Sequence, residues 1–124
     1  MASTLELLIL AQLAKPAWTG MTLANSWSNL AGNVAAQYRY WPLTNELEVI
    51  GCVAHASISG TSQFCSTFTQ YFPVSRQRGW AREIALNPMV PVQLYYQTSG
   101  VMEFVDLPTG ATDVEFHHWF SLDA

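Results

Sequence analysis

Residues 45–56, NELEVIGCVAHA, constrain the fold more than any other stretch. In an extended chain Leu47, Val49, Gly51 and Val53 fall on one face, and Ile50, Cys52 and Ala54 on the other. Turn-type residues flank the run, with 43–45 (LTN) before it and 57–60 (SISG) after. Both faces are largely apolar, so the strand reads as central in a sheet and covered on both sides. One cover comes from a second sheet of the same chain. The other is open to a neighbouring subunit. At 124 residues and 13.8 kDa the chain makes one domain with a sizeable core.

The rest of the chain divides at Pro16. Residues 1–14, MASTLELLILAQLA, form the one strong helical segment. Ser3 or Thr4 caps it, Glu6 favours its first turn, and Lys15 and Pro16 end it. Its apolar residues run nearly all the way round, where a surface helix shows a stripe. Two readings follow. The helix packs across its own domain, or residues 1–15 dock or oligomerise through Leu5, Leu8, Ile9 and Leu13. Residues 16–124 alternate in the β period. Short strands are expected at 18–23, 37–41, 63–69, 83–86, 90–97, 101–105 and 114–122, beside the central run. A hairpin turns across Thr98-Ser99-Gly100, and 107–110 reads as a loop. Seven or eight short strands predict a mainly β chain: an antiparallel, jelly-roll-like β-sandwich with a short N-terminal helix.

Half of the residues are hydrophobic and 11% are charged, against a usual quarter. Surface is therefore expected to be buried between chains. A net charge of −4, a pI near 5.1 and a single lysine, Lys15, argue against nucleic acid. The apolar stretch 5–13 is too short to span a bilayer and lacks a basic leader, so no membrane insertion or secretion signal is read. Cys52 and Cys65 read as buried free thiols, with a disulfide as the alternative; two cysteines make no structural zinc site.

No catalytic pattern emerges. There is no dinucleotide or phosphate-loop glycine run and no nucleophile elbow. Glu46, Glu48, Glu103, Asp106, Asp113 and Glu115 read as solvated rim charges rather than a hydrolytic pair. His117 and His118 point to opposite faces of a strand and cannot share an ion in the usual way, even with His55 nearby, so no metal or cofactor is expected. Trp27, Trp41 and Trp80 fall in loops or at strand ends. They either stack on sugars or cap the ends of the sandwich. Arg76, Arg78 and Arg82 lie beside Trp80 in a stretch, 75–82, read as exposed. They either recognise an anionic group or stay solvated.

Several segments, taken in order, resemble the C-terminal domain of bacteriophage tail-fibre and minor tail proteins of the actinobacteriophage type. They are the Trp-rich opening at 18–27 (WTGMTLANSW), Tyr38-Arg39, the 47–53 strand (LEVIGCV), the Tyr71-Phe72-Pro73 corner, the Gly100 hairpin and the closing 114–122 strand. Ser26 stands where that family carries a glycine, and only the short helix precedes the domain here. The resemblance implies a non-enzymatic virion protein, made in the host cytoplasm. It would be a homotrimer in the tail, baseplate or capsid, bound to other virion proteins through its N-terminal helix and adhering to a host-surface glycan. Trp27, Trp41, Arg76, Arg78 and Trp80 are the candidate ligand contacts. A free-standing carbohydrate-binding module is the alternative, and a small hydrolase a third.

Overall fold

The structure is a computed structural model that describes residues 3–124, the side chains of residues 11–13 aside. Its elements run α1 (Thr4–Leu13), β1 (Thr19–Gly20), β2 (Ser28–Asn29), β3 (Gln37–Trp41), β4 (Glu46–Gln63), β5 (Gln77–Glu83), β6 (Val90–Tyr96) and β7 (Met102–Ser121). The chain is mainly antiparallel strand in a β-sandwich-like arrangement, with one short N-terminal helix, as its alternation predicts.

Ser3 is the residue that caps α1, accepting the Glu6 N–H at 3.2 Å. Lys15 then takes a left-handed conformation (φ 54°) ahead of Pro16 and the helix stops. Leu5 and Leu10 stay 60% and 59% exposed, Leu7 and Ile9 are exposed as well, and Leu8 is half-buried. Apart from Leu8, the described apolar side chains from Leu5 to Leu10 are thus turned largely to solvent. The side chain of Leu13 lies outside the described residues.

β4 and β7 are the spine. Their register runs unbroken from Glu46↔Ser121 to Ala54↔Asp113, then shifts through Ile58↔Ala111, Gly60↔Leu107 and Ser62↔Phe104. The shifts are β-bulges, which bend a ribbon and raise its twist. Gly60 and Gly110 sit there at φ +83° and +84°, conformations open to glycine at no steric cost. Strand order is β1-β3-β4-β7-β5-β6, with β2 also on β4. The β5–β6–β7 hairpins beside β4 make a Greek key. Because β7 bends, β6 pairs its first part (Gln93↔Val105 to Tyr96↔Met102) while β5 pairs its second (Ala81↔Phe116 to Glu83↔Val114). The sheet thus closes over its own inner face.

That inner face carries the core. Leu47, Val49 and Val53 from β4 meet Phe104, Val114, Phe116 and Phe120 from β7 and Leu94 and Tyr96 from β6. Phe64 stacks on Phe104 at 4.2 Å and tilts against Phe116 at 5.2 Å. Gly51 falls in the same alternation for a reason of space: a Cβ there would sit 2.7 Å from the Ala36 backbone.

Several elements differ from the sequence reading. The 57–60 stretch and the 107–110 stretch, both read as loops, lie inside β4 and β7 and pair through the bulges. The 63–69 strand reduces to one bridge, Leu23↔Cys65, because Phe64 and Cys65 turn inward as core plugs. The 18–23 strand shrinks to β1. Most of the 75–82 stretch, read as exposed, is β5, with Arg78, Trp80 and Arg82 on its exposed side and Gly79 and Ala81 buried. The Gly100 hairpin forms as expected, with Gly100 at φ +91° and its N–H on the Gln97 carbonyl at 3.0 Å. Cys52 and Cys65 are free and buried, and burial pushes the Cys65 thiol up to about 12.

Glu83, which pattern alone placed in a short strand of its own, ends β5 and is fully buried. One carboxylate oxygen accepts the N–H groups of Ala85 and Leu86, and the other those of Thr112 (2.8 Å) and Asp113 (3.2 Å). It stitches the exit of β5 to the bend of β7. Glu83→Gln keeps the volume but turns an NH2 toward two N–H donors. We expect it to destabilise the fold by about 2–4 kcal/mol, read as a lower urea midpoint at unchanged m-value.

Candidate surface-recognition site

Strand parity lays out the site. With odd-numbered residues of β4 in the core, its even-numbered residues face outward together with their cross-strand partners. Register then sets Arg39, Glu48 and Trp119 in one row, Ile50 beside His117 in the next, and Cys52, Glu115 and Arg82 in a third. Each row crosses the outer face of the sheet formed by β3, β4, β7 and β5.

The first row is organised by Glu48, which is 1% exposed. Its Oε1 accepts from Arg39 Nε at 2.7 Å and from the Trp41 indole N–H at 2.9 Å. Its Oε2 pairs with His117 Nε2 at 2.7 Å. The Arg39 guanidinium lies between two rings, 4.1 Å from Trp18 and 4.7 Å from Trp41. His117 stacks on Trp119 at 4.4 Å. Glu48 is therefore not a solvated rim charge. Burial works to raise its pKa; hydrogen bonds from His117, Arg39 and Trp41 and the Arg39 charge outweigh burial and bring the pKa below 4.5.

Beyond this hub the outer face opens into a groove of about 390 Å³. Asn33 and Val34, from the loop before β3, form one wall. Trp80 and Arg82 of β5 form the other, and Ile50, Cys52, Glu115 and His117 line the floor. Trp80 is 63% exposed. Arg82 is hydrogen-bonded to Glu115, so the two charges on that side neutralise each other. Burial, then Glu115 and Asp113, raise the pKa of the Cys52 thiol at the floor, which disfavours the reactive thiolate.

The ligand contacts read from the sequence are thus dispersed. Trp80 lines the groove. Trp41 stands in the neighbouring hub with its N–H committed to Glu48. Arg78 sits farther back on β5 and Arg76 just before the strand, over the Tyr95 ring at 5.3 and 4.8 Å. Trp27 is a correction: it is 4% exposed, its indole N–H bonds Ser62 Oγ at 2.9 Å, and its ring meets Phe104 at 5.2 Å. It seals the core where β2 meets β4 and offers no free face. His118 points inward as parity requires, over Gly79 and 4.6 Å from Phe120, and burial lowers its pKa. Among the described residues no His, Cys, Asp or Glu cluster is placed to hold a metal ion, and no helix is long and apolar enough to cross a membrane.

Sequence reasoning missed Arg39, Glu48, Trp119, Trp18 and the groove-lining Glu115. A signal for the first pair was present. The turn at 42–45 closes a hairpin in which Arg39 must face Glu48, and a glutamate inside an apolar strand calls for such a partner.

No family model matches the chain, and no curated protein matches it. Among solved structures, the head domain of lactococcal phage bIL170 aligns over 88% of this chain and 100% of its own, with a TM-score of 0.60 at 13% identity. The chain has the fold of a phage head domain. That domain was solved in asking whether the receptor-binding domains of lactococcal phages share a common fold. The phage resemblance read from the sequence motifs meets this domain at the level of fold.

Because the folded-state pKa of Glu48 lies below 4.5, its contribution to stability is present above that pH and is lost as pH falls through the folded value. Urea midpoints of the wild type and Glu48→Gln between pH 3 and 7 check this. The stability gap is expected to be widest at pH 6–7, on the order of 2–4 kcal/mol, and to narrow below pH 4.5.

Proposed function

We propose that this chain is a receptor-binding domain of a bacteriophage virion and holds a host-surface glycan in the groove beside Trp80. The observation that carries the reading is the fold shared with the bIL170 head domain across 88% of the chain, together with an open outer-face groove walled by an exposed indole. Trp80 supplies a flat apolar platform for a sugar face. Asn33, Glu115, Arg82 and His117 supply donors and acceptors around it for hydroxyls. The floor comes from two long paired strands, so the polar groups are held in place before a ligand arrives. The protein acts by adhesion, without catalysis.

The domain assembles as a homotrimer, and α1 docks it to its own copies or to other virion proteins. What supports this is the exposure of Leu5, Leu7, Ile9 and Leu10 on a helix apolar all round. Assembly also raises the avidity of weak single sites for a repetitive surface. The free-standing carbohydrate-binding module uses the same groove and differs in being monomeric.

Two measurements test the proposal. Trp80→Ala removes an exposed ring without disturbing the core, and is expected to weaken binding of the purified protein to host cells at least about tenfold, ~1.4 kcal/mol. Unchanged binding removes the groove from the proposal. Light scattering is expected to give about three times 13.8 kDa for the full chain, and a smaller assembly once residues 3–14 are deleted. A full-length monomer shifts the reading to the carbohydrate-binding module.

A further inference from the structure

We propose that the start of β5 carries a second, anion-selective subsite, made by Arg76 and Arg78 against Tyr95, which binds a phosphate or carboxylate substituent of an acidic polysaccharide. The inference rests on the glycan-adhesion reading and adds the chemical class of the glycan.

The chain is acidic, with a net charge of −4, yet three of its four arginines fall within seven residues, from Arg76 to Arg82. Two arginines are spent elsewhere: Arg39 on Glu48 and Arg82 on Glu115. Arg76 and Arg78 make no ion pair among the described residues. Both are exposed, and both lie over one ring, Tyr95, the cross-strand partner of Arg78.

The surrounding acids are already engaged. Glu103, on the next strand beside Tyr95, accepts from Gln97 at 2.9 Å, and Asp106 accepts from Gln93 at 3.2 Å. The nearby Ala124 main-chain oxygen accepts from Ser75 Oγ at 2.6 Å and Gln77 Nε2 at 2.8 Å, not from either guanidinium. Two like charges sharing one ring repel, and an anion bridging them relieves that repulsion. Stacking on Tyr95 restricts both side chains, so less freedom is lost when an oxyanion is gripped by two planar forks.

Position ties this pair to the groove. Arg78, Trp80 and Arg82 alternate on the exposed face of β5. Residues two apart on a strand are about 6.6 Å apart along its axis. An extended chain seated on Trp80 therefore passes over Arg78 and Arg76 next. A polymer that carries a sugar at one point and an acidic substituent at the neighbouring one fits this strip.

The test uses the full chain and three immobilised polymers: poly(glycerol phosphate), polygalacturonate and neutral dextran. The expected result is at least about tenfold tighter retention on one of the acidic polymers than on dextran at low salt, weakening as salt rises. The polymer retained identifies phosphate or carboxylate as the group recognised. Arg76→Gln/Arg78→Gln is expected to abolish that preference. Equal retention on all three polymers by the wild type, or an undiminished preference in the double variant, overturns the proposal. Host-cell binding of Trp80→Ala, measured in parallel, reports on the groove separately. Its loss alongside an undisturbed double variant leaves glycan adhesion standing and removes only the anion subsite.

Discussion

The antiparallel pairing of β4 with β7 is the interaction on which the remaining structure depends. Eighteen residues of one strand run beside twenty of the other, and four of the other six elements are hydrogen-bonded to one of the two. β2 and β3 attach to β4, and β5 and β6 divide β7 between them. The bulges near Gly60 and Gly110 bend this ribbon, and the bend lets β5 and β6 fold back to enclose the core. Without it the sheet would be flat and its Phe64, Phe104 and Phe116 cluster would face water.

The same ribbon separates an apolar inner face from a polar outer one. Its inward residues make an aromatic core with little polar content. Its outward residues meet in cross-strand rows, and one of these buries a carboxylate beneath an arginine, an indole and an imidazole. Such a hub is specific because each group is satisfied only in the native register. A slip by one residue would carry Glu48 into the core and Leu47 out of it.

Alternation made the central strand, the Gly100 hairpin, the opposite faces of His117 and His118, and the overall β architecture legible in the sequence. The lengths of β4 and β7 were not, because Gly60 and the Leu107-Pro108 pair are turn signals locally, and only cross-strand pairing through bulges overrides them. The segment around Phe64 and Cys65 alternates like a strand yet is mostly core plug, a tertiary outcome. For the site, Trp80 stood out by composition. Trp27 was indistinguishable from it until burial and its bond to Ser62 placed it inside. The Arg39–Glu48 pair follows from hairpin register. The groove required knowing that β5 lies along the second half of β7.

Parity has a consequence for how such a surface can change over generations. Ile50, Glu115 and Trp80 can each be exchanged while their strand neighbours Val49, Val114 and Ala81 go on holding the core. Half of every strand is thus a stable frame and half a rewritable page. A protein built on this arrangement can change what its outer face contacts by single outward substitutions, with no need to invent a new fold.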